Sequence, residues 1–313
     1  MSEPALVPPT GVQSARAVVQ QSDAAPHGSK FLHPHASILG VQISALDLRG
    51  AVDLADRWLL SEAGRAYICA TGVHGVMEAH ADPALRQILN RALLNLPDGM
   101  PMTWVGRWQG HRGMDRVFGP DFMAEMCRIS VERRYRHFFC GGEPGVAERL
   151  GEALQRRFSG LIVAGTWTPP FRSLHAAEEA ELRALLSATR PHVLWVGMST
   201  PKQERFMAQY RSRLPVPLLV GVGAAFDFHT GRIRDCSPWI KRCGLQWLHR
   251  LVQEPRRLWR RYLRSNPAFV WHVAWQLAGL RRSPRLPQPL PSVHRDLPLT
   301  STRGSAMRKS KDS

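Results

Sequence analysis

Asp98 occupies a position in the sequence where a carboxylate is well placed to meet a ligand. It follows the apolar run LLNLP, which predicts a buried strand, and precedes Gly99. The next residues, MPMTWVGRW, predict a helix with Pro101 in its first turn. Open α/β sheets bind ligands outside the carboxyl ends of their strands. The sequence therefore predicts an unpaired acid at the edge of a ligand-binding crevice.

A glycine pair follows another predicted strand. In CGGEPGVAE, Gly141 and Gly142 join that strand to a helix. Free backbone N–H groups beside a helix N-terminus form an anion site that suits a nucleotide diphosphate. The alternative interpretation is a tight strand-to-helix turn that requires glycine for its backbone conformation.

Two more loops carry polar side chains at the same predicted edge. In GMSTPKQERF, Lys202 and Gln203 begin a helix, where a cation and an amide could neutralise phosphate and bind sugar hydroxyls. The alternative is ordinary helix capping by Ser199 or Thr200. In GVGAAFDFHTGR, small residues would let a base or sugar approach the backbone, and Asp227 could accept its hydrogen bonds.

The sequence lacks the usual motifs for metal and for covalent catalysis. It contains no D-x-D pair, and no local Ser/His/Asp or Cys/His arrangement is evident. The five cysteines are an odd, scattered set without a C-x-x-C pair, which predicts reduced thiols. We therefore predict neither a metal site nor a cofactor.

The predicted elements alternate between strand and helix over residues 34–235. Short apolar strands in such alternation predict a Rossmann-like α/β domain with a doubly wound, mostly parallel sheet. ASILGVQIS is predicted as its first strand and PLLVGVGAAF as its last. Residues 1–33 and 283–313 lack apolar periodicity and are predicted to be disordered, the second as a basic tail.

Residues 236–282 are predicted to form a helical appendage, with breaks before Pro255 and Pro267. Residues 256–264 place arginines on one arc of a helical wheel and Leu258, Trp259 and other apolar residues on the opposite arc. A basic amphipathic helix rich in aromatic residues is typical of a membrane-surface segment. The alternative is a helix that packs on its own domain and exposes its arginines to water.

The positive charge of the chain is concentrated near its C-terminus. The chain has a net charge of +17, and from residue 241 onward 16 Lys and Arg oppose three acidic residues. This asymmetry indicates a polyanionic partner: nucleic acid, anionic lipid or diphosphate. No apolar run approaches the roughly 20 residues of a bilayer span, and the N-terminus does not resemble a secretion signal.

Two alternative functions follow from composition and fold class. A non-enzymatic nucleic-acid or anion-binding protein would explain the basic segment but not the polar loops at the sheet edge. A nucleotide-dependent oxidoreductase would need a glycine-rich loop after the first strand, which ILGVQISALDLRG does not supply.

Seven motifs in series resemble one protein family. They are TGVHGVMEAHADP, LPDGMPMTW, DRVFGPDFM, FFCGGEPGVAE, VGMSTPKQE, GVGAAFDFHTGRI and QEPRRLWRRYLRSNP. In order and spacing they resemble the WecG/TagA/CpsF glycosyltransferases of bacterial surface-polysaccharide assembly. The resemblance covers about residues 36–282.

The resemblance implies a membrane-associated glycosyltransferase that inverts the anomeric centre and needs no metal. The implied donor is a UDP-sugar carrying N-acetylmannosamine, its uronic acid or a related hexose, and the implied acceptor is a polyprenyl-diphosphate-linked sugar. The implied location is cytoplasmic, peripheral at the anionic inner face of the cytoplasmic membrane. Nucleic acid is not an expected partner, and a homo-oligomer stays open.

The resemblance also implies roles for individual residues. Asp98 matches the proposed general base, which takes the proton of the acceptor hydroxyl. Thr71 matches a threonine that lines the donor pocket, Arg116 an arginine that offsets phosphate charge, and Gln203 a residue that contacts the sugars. Without a metal, charge on the leaving UDP is expected to be met by cations and backbone donors. Further cations for this charge or for the lipid diphosphate are expected from Arg256, Arg257, Arg260 and Arg261.

One position departs from the family pattern. Many members carry asparagine two residues after the threonine, where this chain has Val73 followed by His74. The loss of an amide there puts recognition of an acetamido sugar in doubt, and it affects the identity of the donor rather than the transfer itself.

Overall fold

A computed structural model describes residues 31–170 and 172–280. The predicted tail 283–313, and residues 1–30 of the predicted N-terminal tail, lie outside the described residues. All five cysteines lie inside them and are free thiols.

The described chain alternates strands and helices in the predicted order. The strands are β1 (His35–Ile38), β2 (Val41–Ser44), β3 (Ala66–Thr71), β4 (Leu94–Pro97), β5 (Arg136–Gly141), β6 (Ile162–Trp167), β7 (Val193–Gly197) and β8 (Leu218–Gly221). The helices are α1 (Leu48–Ser61), α2 (Val73–Ala81), α3 (Pro83–Asn90), α4 (Met100–Trp108), α5 (Gly119–Arg133), α6 (Val146–Arg157), α7 (Ala176–Thr189), α8 (Lys202–Tyr210), α9 (Ala225–His229), α10 (Pro238–Arg242), α11 (Gln246–Gln253) and α12 (Pro255–Leu277).

Six strands form one parallel sheet in the order β4-β3-β8-β7-β5-β6. The α/β, Rossmann-like fold class is thereby confirmed. Its strands are short and apolar because helices cover both faces, where two separate clusters of buried apolar side chains form the core. Parallel pairing puts the carboxyl ends of β3, β4, β7 and β8 along a single edge.

The prediction of a single strand for ASILGVQIS is wrong. The segment folds into the antiparallel hairpin β1–β2, which stands apart from the parallel sheet. Leu39 and Gly40 both have positive φ, 50° and 87°, as a two-residue hairpin turn of type I′ requires. The apolar run conceals this turn because only Gly40 marks it in the sequence.

The last predicted strand is shorter than expected. β8 ends at Gly221, and Ala225–His229 forms the short helix α9 rather than a continuation of the strand. Gly223 has φ 51° and turns the chain out of the sheet. As predicted, no strand follows Phe226 in the part of the chain that the structure describes.

The predicted break before Pro255 is confirmed, whereas the one before Pro267 is wrong. Pro255 begins α12, where a missing N–H costs nothing, but Pro267 lies inside this 23-residue helix. Buried residues before and after the proline, Ser265 and Phe269, hold the helix against the protein. α12 packs on α2, with the rings of His80 and His272 in contact. Among the described residues, no helix is both long enough and apolar enough to cross a bilayer.

Candidate active site

A cavity of about 990 Å³ opens at the carboxyl edge of the sheet. Its inner wall comes from the loops that follow β3, β4, β7 and β8, and its outer wall from α4 and α10–α12. This is the edge at which open α/β sheets bind ligands. The C-terminal helices thus complete the cavity instead of standing apart from it.

Asp98 lines this cavity, at the predicted place directly after β4. Its backbone N–H donates to the Thr71 carbonyl oxygen at 3.2 Å. A Cβ on Gly72 would lie 2.5 Å from the Asp98 carbonyl oxygen, so only glycine allows this approach of β3 to β4. Gly99, at φ 119°, then turns the chain into α4. Within the described ranges the Asp98 carboxylate forms no ion pair.

The electrostatic surroundings of Asp98 suit a proton acceptor. Burial raises the pKa of its carboxyl above the ordinary value, and the charge of Asp121 adds to this effect. The positive charges of Arg116 and Arg250 oppose the shift in pKa, as does a hydrogen bond from the Gly119 N–H. The carboxyl is therefore more basic than an exposed aspartate while cations stand close by.

Arg116 also lines the cavity, on the loop between α4 and α5. Its guanidinium contacts Asp121 at 3.1 Å, donates to Gln246 Oε1 at 2.9 Å and lies over the ring of Phe118. The Val117 N–H donates to the Pro97 carbonyl at 3.0 Å and holds this loop against the end of β4. Arg116 is thereby positioned as a fixed cation near Asp98.

Two cations at the cavity were not predicted from the sequence as site residues. Lys241 comes from α10 and Arg250 from α11. Arg250 contacts Glu254 at 3.2 Å, while its buried Nε has no hydrogen-bond partner within the described residues. The sequence indicates them only through the excess of positive charge after residue 240. Which of these cations reach the cavity depends on how α10 and α11 fold back on the sheet.

The four arginines assigned to the lipid diphosphate divide into two pairs. Arg257 and Arg261 line the cavity, whereas Arg256 and Arg260 are exposed and lie outside its lining. Burial, followed by repulsion from Arg257, lowers the pKa of Arg261. An anion bound between these two arginines would relieve that repulsion.

Gln203 is buried at the start of α8 and reaches the cavity. Its Oε1 accepts from the Gly223 N–H at 3.0 Å, and its Nε2 donates to Glu204 Oε1 at 3.0 Å. Thr200 donates to the same Glu204 oxygen at 2.8 Å. Burial raises the pKa of Glu204. Gln203 therefore connects the start of α8 to the loop after β8, and Glu204 orients the Gln203 amide.

Thr71 lies beside the cavity but does not line it. Its side chain is buried and its hydroxyl donates to Asn95 Oδ1 at 3.3 Å. Through its carbonyl it positions the backbone of Asp98. The structure thus places Thr71 in support of the site, and direct contact with a donor stays a prediction.

The structure does not bring Gly141, Gly142, Lys202 or Asp227 into the cavity lining. A Cβ on Gly141 would lie 2.5 Å from the Gly197 carbonyl oxygen, and Gly142 has φ 77°, so both glycines meet the needs of a tight turn. Lys202 is exposed, and Asp227 lies 3.7 Å from Arg232. Their predicted roles in substrate binding stay predictions.

His74 lines the cavity at the start of α2. Burial, with a smaller effect from Arg261, lowers the pKa of its imidazole to about 4. The ring is therefore neutral at pH 7. No group of three His, Cys, Asp or Glu side chains in residues 31–170 and 172–280 is arranged to hold a metal ion.

Comparison with known proteins identifies the family. The profile described as "Glycosyl transferase WecG/TagA/CpsF family" matches residues 36–283, most of the chain. The chain belongs to the WecG/TagA/CpsF glycosyltransferase family. The resemblance seen in the seven motifs is therefore confirmed, and Asp98 with its cations lies in the cavity of a glycosyltransferase.

Two relatives of this glycosyltransferase carry the same name, N-acetylglucosaminyldiphosphoundecaprenol N-acetyl-β-D-mannosaminyltransferase. The protein from Bacillus spizizenii is 27% identical and the one from Bacillus subtilis 22%. Each alignment spans 227 residues, 72% of this chain and 86% of the relative.

Proposed function

We propose that this enzyme transfers a hexose from a UDP-sugar to a polyprenyl-diphosphate-linked sugar, with inversion at the anomeric carbon and without a metal ion. N-Acetylmannosamine, its uronic acid and a related hexose are the candidate donor sugars. The proposal rests on one observation above all: an unpaired, more basic Asp98 shares a cavity with several cations in a member of this family.

The proposed reaction is a single displacement. The Asp98 carboxylate takes the proton of the acceptor hydroxyl while that oxygen attacks the anomeric carbon, and the bond from this carbon to the UDP oxygen breaks. One carboxylate is sufficient because no covalent sugar–enzyme intermediate forms. Attack opposite the leaving group inverts the anomeric centre, and the β linkage in the names of both relatives is consistent with this for an α-linked donor.

Negative charge develops on UDP as this bond breaks. In the proposal Arg116, Arg250 and Lys241 stabilise that charge in the role that a divalent cation has in other transferases. Arg257 and Arg261 bind the diphosphate of the acceptor lipid. Gln203 binds sugar hydroxyls through the part of its amide that faces the cavity.

The proposal includes attachment to an anionic membrane surface at the cytoplasmic side. Several large apolar side chains of the C-terminal helices are exposed, beside exposed arginines on the same helices. Apolar insertion combined with attraction to anionic lipid is the usual basis of interfacial binding. The exposed apolar side chains are Trp239, Trp247, Leu248, Val252, Trp259, Leu263, Val270, Trp271 and Trp275.

A screen of UDP-sugars tests this function. Each donor is incubated with a GlcNAc-diphospholipid acceptor, and UDP release and the glycosylated lipid are measured with and without EDTA. We expect turnover with at least one UDP-hexose, unchanged by EDTA. Turnover that EDTA abolishes would contradict the metal-independent step, and thermal stabilisation by RNA or DNA without stabilisation by UDP would contradict the enzyme function.

A further inference from the structure

The cavity extends along α12 well beyond Asp98. Residues of this helix that line it recur every three or four positions from Arg257 to Leu277, so they share one face of the helix. From Arg261 to Leu277 this face is about 24 Å long at 1.5 Å per residue. The cavity is therefore elongated, with the catalytic end near the start of α12.

The polarity of this helix face changes along its length. Arg257 and Arg261 line the end of this face close to the loop after β3, where the charge of Arg261 acts on His74. Ser265 and Asn266 follow along the helix. Beyond them the lining residues of α12 are apolar: Phe269, Val270, Val273, Ala274 and Leu277. The order from the catalytic end is thus cationic, polar, apolar.

The opposite wall of the apolar end comes from α4. Val105 and Trp108 lie in the second half of α4 and line the cavity, as does Trp104, whose ring lies against Gly244 between α10 and α11. Trp104 and Trp108 are 47% and 76% exposed. Large apolar side chains that are exposed in a concave site indicate an apolar ligand, because a site for polar ligands alone would not need them.

Two glutamines hold the walls of this groove apart at a defined spacing. Gln109, next to the end of α4, and Gln276 of α12 both donate to the Ser37 carbonyl of β1, at 2.8 and 2.7 Å. The same two side chains accept from the backbone N–H groups of Ser37 and Leu39. The hairpin β1–β2 thereby fixes both helices at the apolar end, so the groove is built and not a gap between loose elements.

We propose that this groove between α4 and α12 binds the first isoprene units of the acceptor lipid. The inference rests on the proposed function and adds a binding site for the polyprenyl chain. A sugar, a diphosphate and a hydrocarbon follow one another in such a lipid, and Asp98, the arginine pair and the apolar groove follow one another in the cavity. The polyprenyl chain would increase the affinity of the enzyme for the acceptor lipid because burial of each methylene group is favourable.

Binding of prenyl diphosphates without a sugar tests the groove independently of catalysis. The full chain is titrated, without vesicles and below the aggregation concentration of the ligands, with dimethylallyl diphosphate and with geranylgeranyl diphosphate. Quenching of tryptophan fluorescence or calorimetry reports the Kd. We expect the four-isoprene ligand to bind about tenfold or more tightly than the one-isoprene ligand.

Variants from both walls identify the place of binding. Trp108→Ala and Leu277→Asn are expected to reduce the ratio of the two Kd values at least threefold, with little change for the one-isoprene ligand. Leu60→Asn, a change of the same kind at an exposed leucine of α1 outside the cavity, is expected to leave the ratio unchanged.

Equal affinities in the wild-type protein, or a ratio that survives in both groove variants, would overturn the inference. Because this titration needs no turnover, it gives an answer even where the screen of UDP-sugars fails. A chain-length effect without transferase activity would support the groove and contradict the proposed function.

Discussion

Asp98 is held in place by the backbone and tuned by its neighbours. The Thr71 carbonyl and the absence of a side chain on Gly72 fix its position, while burial and three opposing groups, Arg116, Arg250 and the Gly119 N–H, determine the pKa of its carboxyl. A base of this kind acts only in its deprotonated form, so the rate should fall as the pH drops through its raised pKa.

The Arg116→Gln variant tests this electrostatic coupling. Arg116 lowers the pKa of Asp98, so its removal should raise that pKa and move the acid limb of the kcat/KM profile to higher pH. The profile is measured from pH 4 to 8 beside Arg183→Gln, a change of equal charge on the exposed surface of α7. An acid limb that stays in place, or moves to lower pH, would show that Asp98 does not produce it.

A second prediction concerns the effect of Glu204 on the stability of the fold. Because burial raises the pKa of its carboxyl, the native state holds its proton more tightly than the unfolded state, and this contribution to stability is lost as the pH rises above the ordinary value of 4.5. Glu204→Gln retains an oxygen for Thr200 and Gln203 and should gain stability relative to wild type as the pH rises. Glu204→Ala should lose about 2–3 kcal/mol.

Urea denaturation at pH 5 and pH 8 measures the free energy of unfolding of both Glu204 variants and of the wild type. Equal destabilisation by the glutamine and alanine variants would mean that the hydrogen bonds to Glu204 Oε1 do not account for its role.

Only some of the site residues could be predicted one by one. Asp98 could, because its position after an apolar run and before Gly99 depends on local sequence. Lys241 and Arg250 could not, since they reach the cavity only after distant helices fold back on the sheet. Gly141 allows the close contact of β5 with β7, and Gly142 turns the chain beside Val146. Both lie outside the cavity lining, and their role in anion binding stays a prediction.

The elements illustrate what local patterns resolve and what they miss. The parallel strands and their helices follow from apolar runs and turn residues. Local patterns do not predict the β1–β2 turn, because it is hidden in an apolar run. They do not predict the uninterrupted α12 either, because its continuation past Pro267 depends on the buried contacts of Phe269 and Val273. Tertiary contacts here override the usual effect of an internal proline.

Gln276 is predicted to stabilise the attachment of α12. Gln276→Ala removes both of its hydrogen bonds to the backbone of β1 and should lower the free energy of unfolding by about 1–2 kcal/mol. Urea denaturation measures the loss, with Gln209→Ala on the exposed side of α8 as the matched control. A loss no greater than that of the control would show that the glutamine does not hold the helix.

At the scale of the whole molecule, charge and exposed apolar surface coincide on the C-terminal helices. The exposed arginines Arg256, Arg260 and Arg264 accompany Trp259 and Leu263 on α12. The composition predicted a polyanionic partner but not its class. In the proposed function this partner is a lipid-linked substrate and an anionic membrane surface rather than nucleic acid.

Vesicle binding tests the proposed membrane surface. The triple variant Arg256→Gln, Arg260→Gln, Arg264→Gln should bind anionic vesicles at least tenfold more weakly, since each basic residue near such a surface contributes about 1 kcal/mol. Arg49→Gln, Arg112→Gln, Arg183→Gln removes the same charge from exposed positions elsewhere. Equal losses in the two triple variants, or binding insensitive to salt, would contradict a specific basic surface.

Point substitutions suit this question better than deletion of the C-terminal helices. Leu258, Phe269 and Val273 are buried against the rest of the protein. Removal of α12 would therefore expose core residues and confuse loss of membrane binding with loss of stability.

The most direct measurement of the central claim is the turnover of Asp98→Asn, compared with its affinity for the UDP-sugar. Asparagine has nearly the same shape but cannot take the proton of the acceptor hydroxyl. We expect kcat to fall by roughly 100-fold or more while the Kd for the donor changes little. Turnover within a few-fold of wild type would contradict the assignment of Asp98 as the base.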